Sequence, residues 1–284
     1  MFVLAWSLCA CAVRPYVLDQ AAAALSSQAQ SYEEDLVLAR EASAFYLKLS
    51  ESVLREVPGN LSLAESVAAG FTQYAYAFVA LEADKREPQD AAAAQQLRER
   101  AARLYARAHR HAMAALEASA PGFTQSLSRP DALEAVRLTP AQVPLAYWAA
   151  ASWGGWISLS KDNPDVVADL PTAIILAKLA WLKQPDFSQG ALSSLMGTFE
   201  AARPGGSATQ AAAYFEQAVV AAQGQSAGVY VAQAESLALP KGDRASFDAL
   251  LHKAVQVASL HRNLPNDIMR ERATWLLGMA DDLF

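Results

Sequence analysis

PLAYWAAASWGGWISLS, residues 144–160, holds three of the chain's six tryptophans within nine positions and carries no charge. At helical spacing Trp148, Trp156 and Trp153 fall at about 0°, 80° and 140°, one broad arc, while Ala150, Gly154, Ala151 and Gly155 cover about 200° to 340°. One side of this helix is therefore large and aromatic, and the other is nearly bare backbone. A glycine inside a helix costs about 1 kcal/mol relative to alanine. Each tryptophan buries about 150–250 Å², worth several kcal/mol as an upper bound. Burial wins, so the helix is expected at the centre of the fold, with a neighbour pressed against its small side. Each indole N–H also needs a partner that a dry core supplies poorly. The arc, with neighbouring Tyr147, has two readings: core filling, or the wall of an internal cavity or channel. On the second, Tyr147, Trp148, Trp153 and Trp156 are the candidate ligand residues.

Outward from this segment, the chain reads as helices separated by Pro, Gly and Asn. Stops fall at Pro58-Gly59-Asn60, Pro121-Gly122, Asn163-Pro164, Pro185-Asp186, Pro204-Gly205-Gly206 and Pro240-Lys241-Gly242. Ser31–Glu34, Thr139–Gln142 and Ser207–Gln210 have the spacing of helix-opening capping boxes. Alternating strand patterns are nearly absent, and Val229-Tyr230-Val231 is too short to found a sheet. The expected fold class is all-α. One pattern recurs: Ala101/Tyr105/Ala108, Ala173/Ala177/Ala180 and Ala211/Phe215/Ala218. Small residues allow close helix pairing, and a larger one wedges between neighbours, as in the second helix of a tetratricopeptide repeat. Most first-helix landmarks of that repeat are missing. The expected architecture is a compact stack of helical hairpins, a degenerate tetratricopeptide-like bundle over 31–284.

Residues 97–116, LRERAARLYARAHRHAMAAL, are strongly two-faced. Leu97, Ala101, Leu104, Tyr105, Ala108, Ala112 and Met113 share one arc, and Arg100, Arg103, Arg107, Arg110 and His111 the other. The basic arc is either a solvated face or a docking face for an acidic partner or lipid headgroups.

Apolar residues make up 53% of the 284, charged residues 18%, and the net charge is −6, a balance that argues against a nucleic-acid binder. No run of eighteen apolar residues predicts a membrane span; TAIILAKLAWL at 172–182 is short and broken by Lys178. Both cysteines lie in the first eleven residues, and the four histidines lack ligand spacing, so neither a metal nor a cofactor is expected. GxSxG, P-loop, GxGxxG and HExxH are all missing. Acid pairs such as Asp281-Asp282 and Glu33-Glu34 are adjacent, so on a helix they diverge. Catalysis is not expected.

The amino terminus, MFVLAWSLCACAV, ends an apolar stretch in small residues and cysteine. Leu8-Cys9-Ala10-Cys11 resembles a bacterial lipoprotein signal in which Cys11 receives the lipid, although the stretch is short and lacks leading positive charge. On this reading residues 1–11 are the signal, 12–30 form a tether and the approach to the first helix, and 31–284 are a single helical domain.

The order of landmarks resembles the T component of TRAP (tripartite ATP-independent periplasmic) transporters. The residues that carry the resemblance are LVLAREASAFYLKLSESVLREVPGNLSLAESVAAGFTQYAYAFVALEAD, then RERAARLYARAHRHA, AYWAAASWGGWISLS, PGGSATQAAAYFEQAV and SFDALLHKAV. The ending LPNDIMRERATWLLGMADDLF adds Asn266, Arg272, Ala273, Leu276, Leu277, Asp281, Asp282, Leu283 and Phe284. The resemblance implies a periplasmic, lipid-anchored helical protein with tetratricopeptide-like repeats. It further implies a homotrimer with an apolar pore or cavity in each protomer, engaging the transporter's soluble substrate-binding subunit to pass a small apolar ligand. It supplies no catalytic residue. The alternative is a repeat scaffold that holds other envelope proteins.

Overall fold

The computed structural model describes residue 18, residues 20–26, residue 33 and residues 35–284. The presumed signal with Cys9 and Cys11 lies outside the described residues, as do Ser31 and Glu34 of the first capping box.

From residue 35 onward the fold is carried by α1 (Leu36–Glu56), α2 (Leu61–Tyr74), α3 (Ala91–Ser119), α4 (Val143–Ser158) and α5 (Leu170–Lys183), then α6 (Phe187–Ala202), α7 (Ala208–Ala221), α8 (Ala227–Gln233), α9 (Arg244–Leu260) and α10 (Leu264–Gly278). Among the described residues there is no strand, and the fold is all-α. Two π-helical segments interrupt the regular geometry. Ala75–Ala80 follows α2 and passes into Leu81–Arg86, and Ala234–Ala238 follows α8.

Helix starts are fixed by short polar side chains that accept otherwise orphaned backbone N–H groups, each worth about 1 kcal/mol. Asp35 accepts from Val37 N at 2.8 Å, Asn60 from Leu63 N at 2.9 Å and Ser207 from Gln210 N at 3.2 Å. Before α4, the Gln142 side-chain oxygen accepts from Thr139 N at 2.9 Å. Gln142 Nε2 also donates to Ser119 Oγ at 3.0 Å, tying the entry of α4 to the end of α3. Every proline- or glycine-marked stop falls between two of these helices, although Pro164 opens the short helix Pro164–Ala168 and Pro240 lies in the 3-10 turn Leu239–Lys241.

Sequence neighbours pack on one another, α1 on α2 through to α6 on α7, and then α8 on α9 and α9 on α10. Helix α4 touches α2, α3, α5 and α6, the central position its composition requires. Helix α8 meets α6, α7, α9 and α10 and joins the two groups. All nine members of the three alanine-centred triplets are buried. Tyr105 seats its ring where a side chain on Gly155 would stand, as Phe199 does at Gly154 and Phe215 at Gly197. An added Cβ at each glycine would lie within 2.8–2.9 Å of the ring. Bare backbone on α4 and α6 thus forms notches for aromatic rings, the physical content of the small-residue arc. The single companion expected for α4 is in fact two, α3 and α6.

A second tie closes the first helices onto the last. Arg272 of α10 donates to Glu235 through Nε (3.0 Å) and Nη2 (2.5 Å), and to Asp84 Oδ2 through Nη1 (3.2 Å). Its guanidinium also lies 5.3 Å from the ring centroid of Tyr76, and Lys85 pairs with Glu271. Tyr76 and Glu235 each come from a π-helical segment.

Candidate functional site

The aromatic arc of α4 divides into two clusters. At its carboxyl-terminal end Trp153 is buried against His109 of α3, ring centroids 4.3 Å apart, and the half-buried Trp156 stands 6.3 Å from the same imidazole. Burial lowers the His109 pKa below its ordinary value, so the ring is neutral at pH 7, with Nδ1 3.3 Å from the Ala149 carbonyl oxygen. The Trp153 Nε1–H is buried and has no acceptor among the described residues. Such an orphaned donor carries a desolvation penalty of about 1–3 kcal/mol, which an acceptor on a bound molecule would remove.

At the other end Trp148 meets Tyr147 edge-on at 4.7 Å, and Tyr147 meets Phe187 at 5.3 Å. Burial pushes the Tyr147 phenol up to about 12, so it is a protonated, neutral donor. Ser152 lies between the clusters and donates to the Trp148 and Ala149 carbonyl oxygens at 2.6 and 3.0 Å. The arc is therefore aromatic, uncharged at neutral pH, and equipped with donors. That chemistry suits an apolar molecule with an acceptor and gives nothing to a strongly charged one.

Phe187 is the contributor that sequence reasoning missed, and its backbone setting is unusual. Ser188, Gln189 and Gly190 are consecutively left-handed, with φ of 50°, 55° and 81°. For a non-glycine residue that conformation costs about 1–2 kcal/mol. Gly190 could not be replaced without collision, because its Cβ would stand 2.6 Å from the Ala218 carbonyl oxygen on α7.

The basic arc of α3 separates as well. Arg100, Arg103 and Arg110 are exposed. Arg107 is engaged inside the fold, where it grips the buried Glu51 of α1 and lies 4.8 Å over the Phe71 ring; His111 reaches the same carboxylate at 2.9 Å. The exposed members of the arc are thus Arg100, Arg103 and Arg110, with Arg103 3.9 Å from Glu99.

A separate open groove of about 460 Å³ is lined by Leu36, Val255 and Trp275 together with Lys85, Asp267, Arg270, Glu271 and Thr274. None of the α4 aromatics borders it. Among the described residues no cluster of three or more His, Cys, Asp or Glu could hold a metal ion, and no helix is long and apolar enough to cross a membrane.

Comparison with known proteins places this geometry in context. The sequence pattern of the family described as TRAP transporter T-component matches residues 32–284. A protein of Treponema pallidum (strain Nichols), described as uncharacterized, is 27% identical over 262 residues, spanning 89% of this chain and 81% of its own length.

Proposed function

The chain belongs to the TRAP transporter T-component family, and we propose that it is a non-enzymatic periplasmic accessory that binds or passes a small apolar ligand together with the transporter's substrate-binding subunit. In this reading the protein is a homotrimer anchored to a bacterial membrane by lipid on Cys11. Each protomer holds the ligand against Tyr147, Trp148, Trp153 and Trp156. The observation that carries the ligand reading is the buried Trp153 indole N–H with no acceptor, set in an otherwise uncharged aromatic wall. Solvent extraction of the purified protein followed by mass spectrometry tests it. An apolar molecule in stoichiometric amount is the expected result, and an empty extract overturns the ligand reading. Native mass spectrometry tests the trimer, and co-purification tests the bond to a substrate-binding protein. Labelled fatty acid incorporated by the wild type and lost in Cys11→Ser tests the anchor.

The exposed Arg100, Arg103 and Arg110 favour a second reading, a tetratricopeptide-like scaffold that captures acidic envelope proteins through charge. Charge reversal at Arg100 and Arg103 would then abolish partner capture while Trp148 and Trp153 variants retain it. The ligand-passing reading expects the opposite pattern.

A further inference from the structure

We propose that the left-handed turn Ser188–Gly190 is a hinge that moves Phe187 on and off Tyr147, gating one end of the aromatic wall to a small, uncharged apolar molecule. The proposal rests on the reading of that wall as a ligand surface and adds to it the residue that controls access.

The turn is held at both ends and free between them. Downstream, Gly190 lies under the backbone of Ala218, and its N–H donates to the Asp186 carbonyl oxygen at 3.1 Å. Upstream, Trp181 Nε1 donates to Ser193 Oγ at 3.0 Å, and Ser193 Oγ donates to the Pro185 carbonyl oxygen at 2.8 Å. Between these anchors Ser188 and Gln189 are exposed, and among the described residues no side-chain hydrogen bond holds either. Phe187 alone of the short flap is half-buried, through its ring contact with Tyr147.

Two consecutive non-glycine residues with positive φ are a strained arrangement that persists only where the surroundings enforce it. Here the enforcing contacts are the packing of Phe187 and the fit of Gly190. Relaxation of Ser188 and Gln189 to negative φ releases strain but withdraws the ring from Tyr147. Strain relieved and packing lost oppose each other, which narrows the gap between the closed and open arrangements and lets a ligand select between them. Once Phe187 has swung away, the ring face of Tyr147 that it covered is apolar and uncharged, and suits an apolar molecule.

The test uses full-length protein with paired substitutions at an exposed position that touches neither wall nor core. Gln189→Gly tolerates positive φ and keeps the gate shut, whereas Gln189→Val penalises it and opens the gate. The first readout needs no ligand. Amide hydrogen exchange over residues 187–191 is expected to be faster than over 195–202 in the wild type. It should be about two- to fivefold faster again in Gln189→Val and slower by a similar factor in Gln189→Gly. The second readout is stopped-flow binding of N-phenyl-1-naphthylamine, an uncharged apolar fluorophore. Association and dissociation should both accelerate in Gln189→Val and slow in Gln189→Gly, and Phe187→Ala should erase the difference between them. Exchange rates indifferent to residue 189 overturn the hinge. Shifted exchange with binding rates that do not follow overturns the gate but leaves the wall. A wild type that takes up no fluorophore while exchange shifts as expected overturns the ligand reading of the wall and the gate with it.

Discussion

Arg107 on α3 and Glu51 on α1, 56 residues apart in sequence, are joined by two parallel hydrogen bonds of 2.5 Å, Nε to Oε1 and Nη2 to Oε2. The carboxylate is nearly inaccessible, and Lys48 and His111 complete its surroundings. This two-pronged bond explains why a face that looks like a row of surface arginines includes one committed to a buried carboxylate.

The pair predicts acid sensitivity. Burial raises the Glu51 pKa, but hydrogen bonds from Arg107, Lys48 and His111 outweigh it and hold the group at about 2, against an ordinary 4.5. A folded-state value below the unfolded one contributes stability that is full above the unfolded pKa and lost as pH falls toward the folded one. Urea unfolding should show wild-type stability falling from about pH 4.5 toward pH 2, with a shallower acid slope in Glu51→Gln. At pH 7 the substitution should cost about 3 kcal/mol, the low end for a broken buried pair, because Arg107 keeps some access to water.

Gly155→Ala pits backbone propensity against packing. The substitution gains about 1 kcal/mol in helix propensity. It also places a Cβ 2.8 Å from Cε1 and Cζ of the buried Tyr105 ring. Overpacking costs about 1–3 kcal/mol, so the two terms leave a net loss centred on about 1 kcal/mol. Thermal unfolding checks this. The same change in a Tyr105→Leu background should be neutral or stabilising, giving a coupling above about 0.5 kcal/mol. A wild-type-like Tm for Gly155→Ala alone would show that the ring can retreat.

Arg272→Met should loosen one region selectively. The side chain joins α10 to Glu235 beyond α8 and to Asp84 beyond α2. Burial opposes its charge, but Tyr76, Glu235 and Asp84 outweigh burial and keep it protonated. Its removal leaves the partly buried Glu235 without its cation and Asp84 with Arg98 alone, 3.6 Å away, at a cost of about 3 kcal/mol. Hydrogen exchange should accelerate first in α9 and α10 while α3 and α4 keep wild-type protection. Uniform acceleration throughout the chain would refute a local latch.

What could be read in advance follows from the range of the interactions. Asn60, Asn163 and Ser207 act on backbone groups two or three residues away, so the helix boundaries were legible. The alanine triplets and the Gly154-Gly155 pair announced close helix approach, because small size is a property of the residue itself. The partners were not legible. Nothing near Arg107 points to Glu51, and nothing near Arg272 points to Asp84, 188 positions distant. Glu235 stands as an isolated acid in an apolar run, a signal of burial but not of a partner, and Asp84 lies among the charges of Glu82–Glu87, where nothing sets it apart. Ser188 and Gln189 carry none of the glycine or asparagine preference that marks left-handed backbone. The flap and the place of Phe187 on Tyr147 therefore emerge only from tertiary structure.

Trp153→Phe separates a ligand donor from a core ring. The change removes an N–H that is buried without an acceptor, sparing about 1–3 kcal/mol of desolvation. It also gives up part of a large ring and leaves a cavity worth a similar amount. The two nearly cancel, so stability should stay within about 1 kcal/mol of wild type. Ligand retention should not follow stability. If the indole donates to the bound molecule, the lost hydrogen bond of about 1–1.5 kcal/mol lowers affinity roughly tenfold. Trp156→Phe trims another ring of the proposed ligand surface but removes no orphaned donor, so it should lose less ligand than Trp153→Phe. Extracted ligand per protomer, measured beside the unfolding midpoint for both variants, reads the two quantities independently. Equal ligand content in Trp153→Phe and wild type would mean that the indole nitrogen faces no ligand and that the ring only fills space.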